Sequence, residues 1–131
     1  VNKNSLMTLH VDDFDLGKQA LVALGSFVGG ELYVHGDGVV NLQSRWHHMD
    51  GRCPHQVLPW KEGERYSLVY FAPANFGRIA AEDRELLEDL GMKLPASGCS
   101  PPAAPSVPRQ IRLEKAAQDM KARGILPEPG C

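Results

Sequence analysis

Apolar and polar residues alternate over short stretches from Asn2 to Ala72, the period-two signature of half-buried strands. Asn2 to Val11 reads as an extended opening segment, with Leu6, Thr8 and His10 on one face and Met7, Leu9 and Val11 on the other. Asp13 to Gly17 reads as a turn. Ala20 to Val28 is an almost unbroken apolar run, as expected of a strand buried on both faces. Gly29-Gly30 predicts a hairpin into Glu31 to His35, and Gly36-Asp37-Gly38 a second turn. Val39 to Gln43 and Arg45 to Met49 are the next strands, closed by Asp50-Gly51 before a loop over Arg52 to Pro54. His55 to Leu58, a loop over Pro59 to Glu64, and Arg65 to Ala72 complete the series. Many short strands punctuated by Gly-rich turns predict a mainly β fold, a sandwich or jelly roll.

The pattern changes after Pro73. Arg78 to Leu90 has Ile79, Leu86, Leu87 and Leu90 at helical spacing with Gly91 at the C-terminal stop, which predicts one helix packed on the sheet. Pro95 to Pro108 is dominated by Pro, Ala and Ser and reads as a semi-extended linker. Gln110 to Arg123 then places Leu113, Ala116, Ala117 and Met120 on one narrow helical stripe ended by Gly124. That stripe suits docking on the β domain or on another chain through 109–123, and a frayed tail fits it equally. The resulting division is a β core with one packing helix over 1–94, a linker over 95–108, and a C-terminal helix and tail over 109–131. The chain begins without an initiator Met and without a strand ahead of the opening one, so a fragment or one domain of a longer polypeptide is expected.

Composition narrows the classes. At 131 residues and 43% hydrophobic, the chain is long enough for one self-sufficient core. A net charge of −2 gives no general attraction to nucleic acid or anionic membrane. No stretch approaches a membrane-spanning length of apolar residues, and no secretory signal pattern opens the chain. A soluble, intracellular protein is expected. Cys53, Cys99 and Cys131 are odd in number and lack a C-x-x-C, so neither a disulfide framework nor a structural zinc site is indicated.

Candidate chemistry sits in the first half. His10 and Asp12, two apart in extended chain, share a face and offer two sides of a metal site. His55 supplies a third ligand. Two histidines and one carboxylate leave the opposite face of an iron open, the arrangement of non-haem Fe(II) oxygenases. Arg65 and Ser67 also share a face; the guanidinium suits bidentate binding of a carboxylate, and the hydroxyl adds a donor. Each has a plainer reading: His10 and His55 as hydrogen-bonded structural histidines, Asp12 as a turn residue, Ser67 as strand filler. Arg65 as the partner of Glu62 or Glu64 would be a surface pair of small value, but an Arg facing inward on a buried strand needs an anion. His35, His47 and His48 lack a carboxylate at the matching offset and read as surface or packing residues. Trp60 is placed to line the mouth of the site.

The ordered set His10-x-Asp12, Gly29-Gly30-Glu31-Leu32, WHHMDG at 46–51, His55 and Arg65-x-Ser67 with RYSLVYF at 65–71 resembles the 2-oxoglutarate and Fe(II)-dependent dioxygenases. The resemblance covers roughly the first 75 residues. It implies a double-stranded β-helix, with Fe(II) on His10, Asp12 and His55 and the distal carboxylate of the cosubstrate 2-oxoglutarate on Arg65 and Ser67. It further implies O2-dependent hydroxylation of a C–H bond with release of succinate and CO2. Similar branches act on protein side chains, on small molecules, or on methylated nucleic-acid bases (TET/JBP-like), so the primary substrate stays open. The alternative from a different class is a metal-only or inactive β-helix domain serving as an interaction module through its C-terminal helix.

Overall fold

A computed structural model describes residues 1–96, 98 and 103–125. Among them are strands β1 (Asn2–Lys3), β2 (Asp15–Leu24), β3 (Val28–Gly29), β4 (Leu32–Val34), β5 (Gly38–Val40), β6 (His47–Met49), β7 (His55–Val57), β8 (Trp60–Lys61) and β9 (Tyr66–Pro73). A 3₁₀ segment (Ala74–Arg78) and helices α1 (Ala81–Asp89) and α2 (Arg109–Ala122) follow. The protein is mainly β, as its alternating pattern predicts.

The strands form an antiparallel sheet in the order β1-β9-β2-β6, a second in the order β5-β4-β7, and a small pair β3-β8. The long pairing of β2 with β9 is built from Val, Leu, Tyr and Phe, residues suited to a pleated surface. Leu21 and Ala23 of β2 and Met49 of β6 meet Leu32 and Val34 of β4 and Val57 of β7 in one buried cluster with Phe27 and Leu42. The core therefore lies between the two larger sheets.

Four local expectations are corrected. The opening segment is not one strand: after β1 the chain turns at Asn4, whose φ is 49°, and leaves the first sheet for the second. Asn tolerates this left-handed conformation, and here it also donates its N–H to the Arg65 carbonyl and accepts the Arg65 N–H, both at 2.8 Å. Asp15 to Gly17 is not a turn. It starts β2, and Gly17, at φ 72°, sits where the β2-β9 register shifts, so the glycine serves a bulge within a strand. Gly29-Gly30 is not a hairpin turn either, because β3 pairs with β8, which lies inside the expected 59–64 loop, while β4 pairs with β5 and β7. Finally, the expected helix over 78–90 is shorter: Ala74–Arg78 is a 3₁₀ segment, and α1 buries none of its residues fully, Leu86 and the C-capping Leu90 being exposed while Leu87 is half-buried beside Ala20 and Tyr70.

The C-terminal stripe docks on the chain's own sheet. Ala116 and Met120 of α2 are fully buried against Tyr33, with Leu9, Leu58 and Ile125 around them, and Leu113 and Ala117 are half-buried beside them. The Tyr33 hydroxyl donates to Asp119 Oδ2 at 2.6 Å. Truncating Met120 to Ala should cost about 2–5 kcal/mol, the range for emptying a packed methionine site, read as a lower denaturant midpoint with an unchanged slope. Of the expected linker, 103–108 carries neither helix nor strand, whereas 97 and 99–102 lie outside the described residues, as do Cys99 and Cys131.

Candidate metal centre

His10 and His55 meet because the backbone pairs them. Met7 to Asp12 runs antiparallel beside β7 and its preceding loop: Val57 N–H donates to Met7 O, and Asp12 N–H to Gly51 O. Between these, His10 and His55 exchange two hydrogen bonds of 3.1 and 3.0 Å. Residues paired in this way point their side chains to the same face, and the two imidazole rings lie 4.2 Å apart between centroids. Asp12, two residues on, returns to that face.

The three side chains converge. Asp12 Oδ2 is 3.4 Å from His55 Nε2, and Oδ1 is 3.9 Å from His10 Nε2. One ligand atom from each residue falls within 4.8 Å of the others, so the three could be drawn onto one ion. Each imidazole is oriented from behind: His10 Nδ1 lies 2.6 Å from Thr8 O, and His55 Nδ1 lies 2.8 Å from Cys53 O. A carbonyl partner accepts a hydrogen bond from Nδ1–H, which keeps the proton on Nδ1 and leaves the Nε2 lone pair free for a metal. Asp12 is held by Gln19, whose buried amide donates to Asp12 Oδ2 at 2.9 Å and to Asp15 Oδ2 at 2.6 Å. A Cβ at Gly51 would meet this amide at 2.5 Å and the Asp12 Cβ at 3.1 Å, so the glycine makes room for the contact.

The donor chemistry fits a divalent cation. The group offers three protein ligands, fewer than the four that close a structural zinc site, and its mixture of imidazole and carboxylate is a donor set that iron, zinc and neighbouring divalent metals share, with positions left for small ligands. The nearby Cys53 thiol is pushed up by burial and so kept protonated.

Electrostatics favours the same state. The His55 imidazole beside it holds the Asp12 carboxyl down at about 2, with Gln19 assisting and partial burial opposing. Burial, reinforced by the neighbouring His55 ring, lowers His10 from 6.5. Both groups thus sit below their unfolded values and bind protons more readily when the chain unfolds. Acid should therefore destabilise the fold in two ranges, below about pH 6.5 as unfolded His10 is protonated, and from about pH 4 toward 2 as Asp12 is. Co(II) affinity should fall where His10 takes up a proton, at a pH below the ordinary 6.5 of a histidine, since ligands must shed their protons. Titration of the His10 ring protons by NMR in the metal-free protein checks it; a midpoint at or above 6.5 would contradict the shielding of His10.

The metal ligands open into a cavity of about 250 Å³ that Arg65 and Ser67 also line, with Leu21, Leu32, Leu42, Val57 and Val69 supplying an apolar wall. Arg65 is 2% exposed. Its Nε donates to Gly30 O at 3.1 Å, and its guanidinium carbon lies 5.8 Å from both the Phe27 and Trp60 rings. Nη2 is buried with no hydrogen-bond partner, and among the described residues no carboxylate pairs with Arg65; Glu64 pairs instead with Lys3. Gly30, at φ 70°, gives the side chain its space, since a Cβ there would meet Arg65 Cδ and Nε at 3.0 Å. A desolvated guanidinium with no counter-ion costs several kcal/mol.

All five candidate residues, His10, Asp12, His55, Arg65 and Ser67, line this one cavity. His35, His47 and His48 stay out of the cluster: His48 is exposed, His47 faces Asp37 at 3.5 Å, and His35 lies beside Tyr33 and Asp119. Trp60 covers the Arg65 guanidinium rather than lining the cavity. Gln19 lies one residue ahead of the apolar run that begins at Ala20 and follows Lys18 beside the bulge, so the local pattern carries no signal for its burial. No family model matches the chain, and neither a curated protein nor a solved structure matches it.

Proposed function

We propose that the protein is an Fe(II)- and 2-oxoglutarate-dependent oxygenase on a double-stranded β-helix. The observation that carries this reading is the pairing, in one cavity, of a two-histidine, one-carboxylate cluster with a buried arginine that has no counter-ion. His10, Asp12 and His55 would hold the iron, and Arg65 with Ser67 would take the distal carboxylate of 2-oxoglutarate. With O2, that bound pair supplies oxidative decarboxylation coupled to hydroxylation of a C–H bond, yielding succinate, CO2 and the hydroxylated substrate.

The chain's own residues supply position and exclusion. Thr8 and Cys53 carbonyls fix the imidazoles, and Gln19 fixes the carboxylate. Phe27, Trp60 and Gly30 confine the guanidinium so that few of its rotamers are lost on binding an anion. The leucine and valine wall keeps water from competing for that guanidinium and strengthens its attraction for a carboxylate. Incubation of the full chain with Fe(II), ascorbate, O2 and 2-oxoglutarate tests the reading even without the primary substrate: slow succinate release dependent on Fe(II) is expected. Its absence, together with failure of 2-oxoglutarate to bind the iron-loaded protein, would overturn the proposal.

A further inference from the structure

The geometry points to Arg112 of α2 as a positioning residue for the metal centre, an inference that rests on the metal reading above. Its guanidinium donates from Nη1 and Nη2 to the two oxygens of Asp13, at 2.9 and 2.8 Å, and from Nη1 to the carbonyl of Arg52 at 2.6 Å. Asp13 is the neighbour of the ligand Asp12. Arg52 is the neighbour of Cys53, whose carbonyl orients His55. One side chain thus ties together the two loops that carry the ligand set, His10 to Asp13 and Arg52 to His55. The pair is largely shielded, with side-chain exposures of 14% and 19%, and bidentate, the geometry in which an Arg–carboxylate contact is strongest and most directional.

The Arg112 side chain is itself held in place. Its Nε donates to the Val107 carbonyl at 3.0 Å, and the buried Ala116 and Met120 fix the helix on the sheet. The helix has a second polar latch, Tyr33 to Asp119, that involves neither ligand loop. The two latches separate a positioning role from general support of α2.

A positioning role has an electrostatic sign opposite to that of a simple charge. Removing a cation from the neighbourhood of a metal site should tighten metal binding if only Coulomb attraction counts. If Arg112 holds the ligand loops in register, its removal should loosen binding by the ~10–100-fold typical of partners that orient metal ligands. The test is titration of the full chain with Co(II), read by calorimetry and by the visible absorption of the bound ion, with far-ultraviolet circular dichroism checking the fold. Arg112→Ala and Asp13→Asn should each weaken Co(II) binding by ~10–100-fold and alter its spectrum. The double variant should be no weaker than either single one, the non-additivity of a shared contact. Tyr33→Phe should stay within about twofold of wild type, as for an independent site. Wild-type affinity or tighter binding in Arg112→Ala would overturn the inference, and so would an equal loss in Tyr33→Phe. If Arg112→Ala does not fold, Arg112→Gln, which also removes the cation, decides by the same criterion. Failure of the wild-type chain to bind Co(II) would instead remove the metal reading itself.

Discussion

Asp12→Ala is expected to lower Fe(II) or Co(II) affinity by more than about a hundredfold, beyond the usual effect of losing a residue that merely orients a ligand. Asp12 is the only carboxylate in the cluster and stands between the two histidines, 3.4 Å from one and 3.9 Å from the other. Without it, two imidazoles with converging Nε2 atoms remain, too few donors to hold the ion against water. The fold should survive, because Gln19 keeps Asp15 as an acceptor and the backbone bridge between His10 and His55 is untouched. Calorimetric titration of a folded Asp12→Ala protein checks this, and retained metal affinity would show that the ligand set is wrong. Asp12→Asn is a stricter variant, keeping the shape while removing the charge.

Arg65→Met is expected to raise the 2-oxoglutarate requirement by about a hundredfold or more, since truncating one partner of a buried charged pair typically costs 2–5 kcal/mol. Fe(II) affinity without 2-oxoglutarate should change little, because no ligand or its support touches Arg65. The opposite sign is expected for stability. Arg65 is buried without a counter-ion, so an apolar side chain of similar length removes a desolvated charge while still filling the space between Phe27 and Trp60. The ligand-free variant should melt no lower than wild type, which is the behaviour of a residue retained for function. A marked drop in melting temperature with unchanged 2-oxoglutarate binding would reassign Arg65 to the core.

The site was legible where its logic is local. His10-x-Asp12 and Arg65-x-Ser67 each share a face through the two-residue repeat of extended chain, and that repeat survives even though Met7 to Asp12 forms no regular strand. The pairing of His10 with His55 follows from where the chain recrosses itself, which no short window of sequence encodes. Gly29-Gly30 misled for the same reason: the pair is a strong hairpin signal, but Gly30 is there because the Arg65 side chain lies against its Cα. Gly17 likewise has the turn-forming residue type and serves a bulge. The α2 stripe announced an apolar face without naming its partner, and the Arg112–Asp13 pair, 99 residues apart, left no trace in the local pattern. Charged residues at the ends of exposed-looking segments are ordinarily solvated, so neither of the two drew notice.

One cavity is proposed to hold both a ferrous ion and 2-oxoglutarate. The most direct test is anaerobic titration of the protein with Fe(II) and then 2-oxoglutarate, followed in the visible spectrum for the charge-transfer band of the metal–keto acid chelate. The band should form in the wild-type chain, vanish in His55→Ala, and require far more 2-oxoglutarate in Arg65→Met. Folded wild-type protein that shows no band at saturating Fe(II) and 2-oxoglutarate would contradict the account.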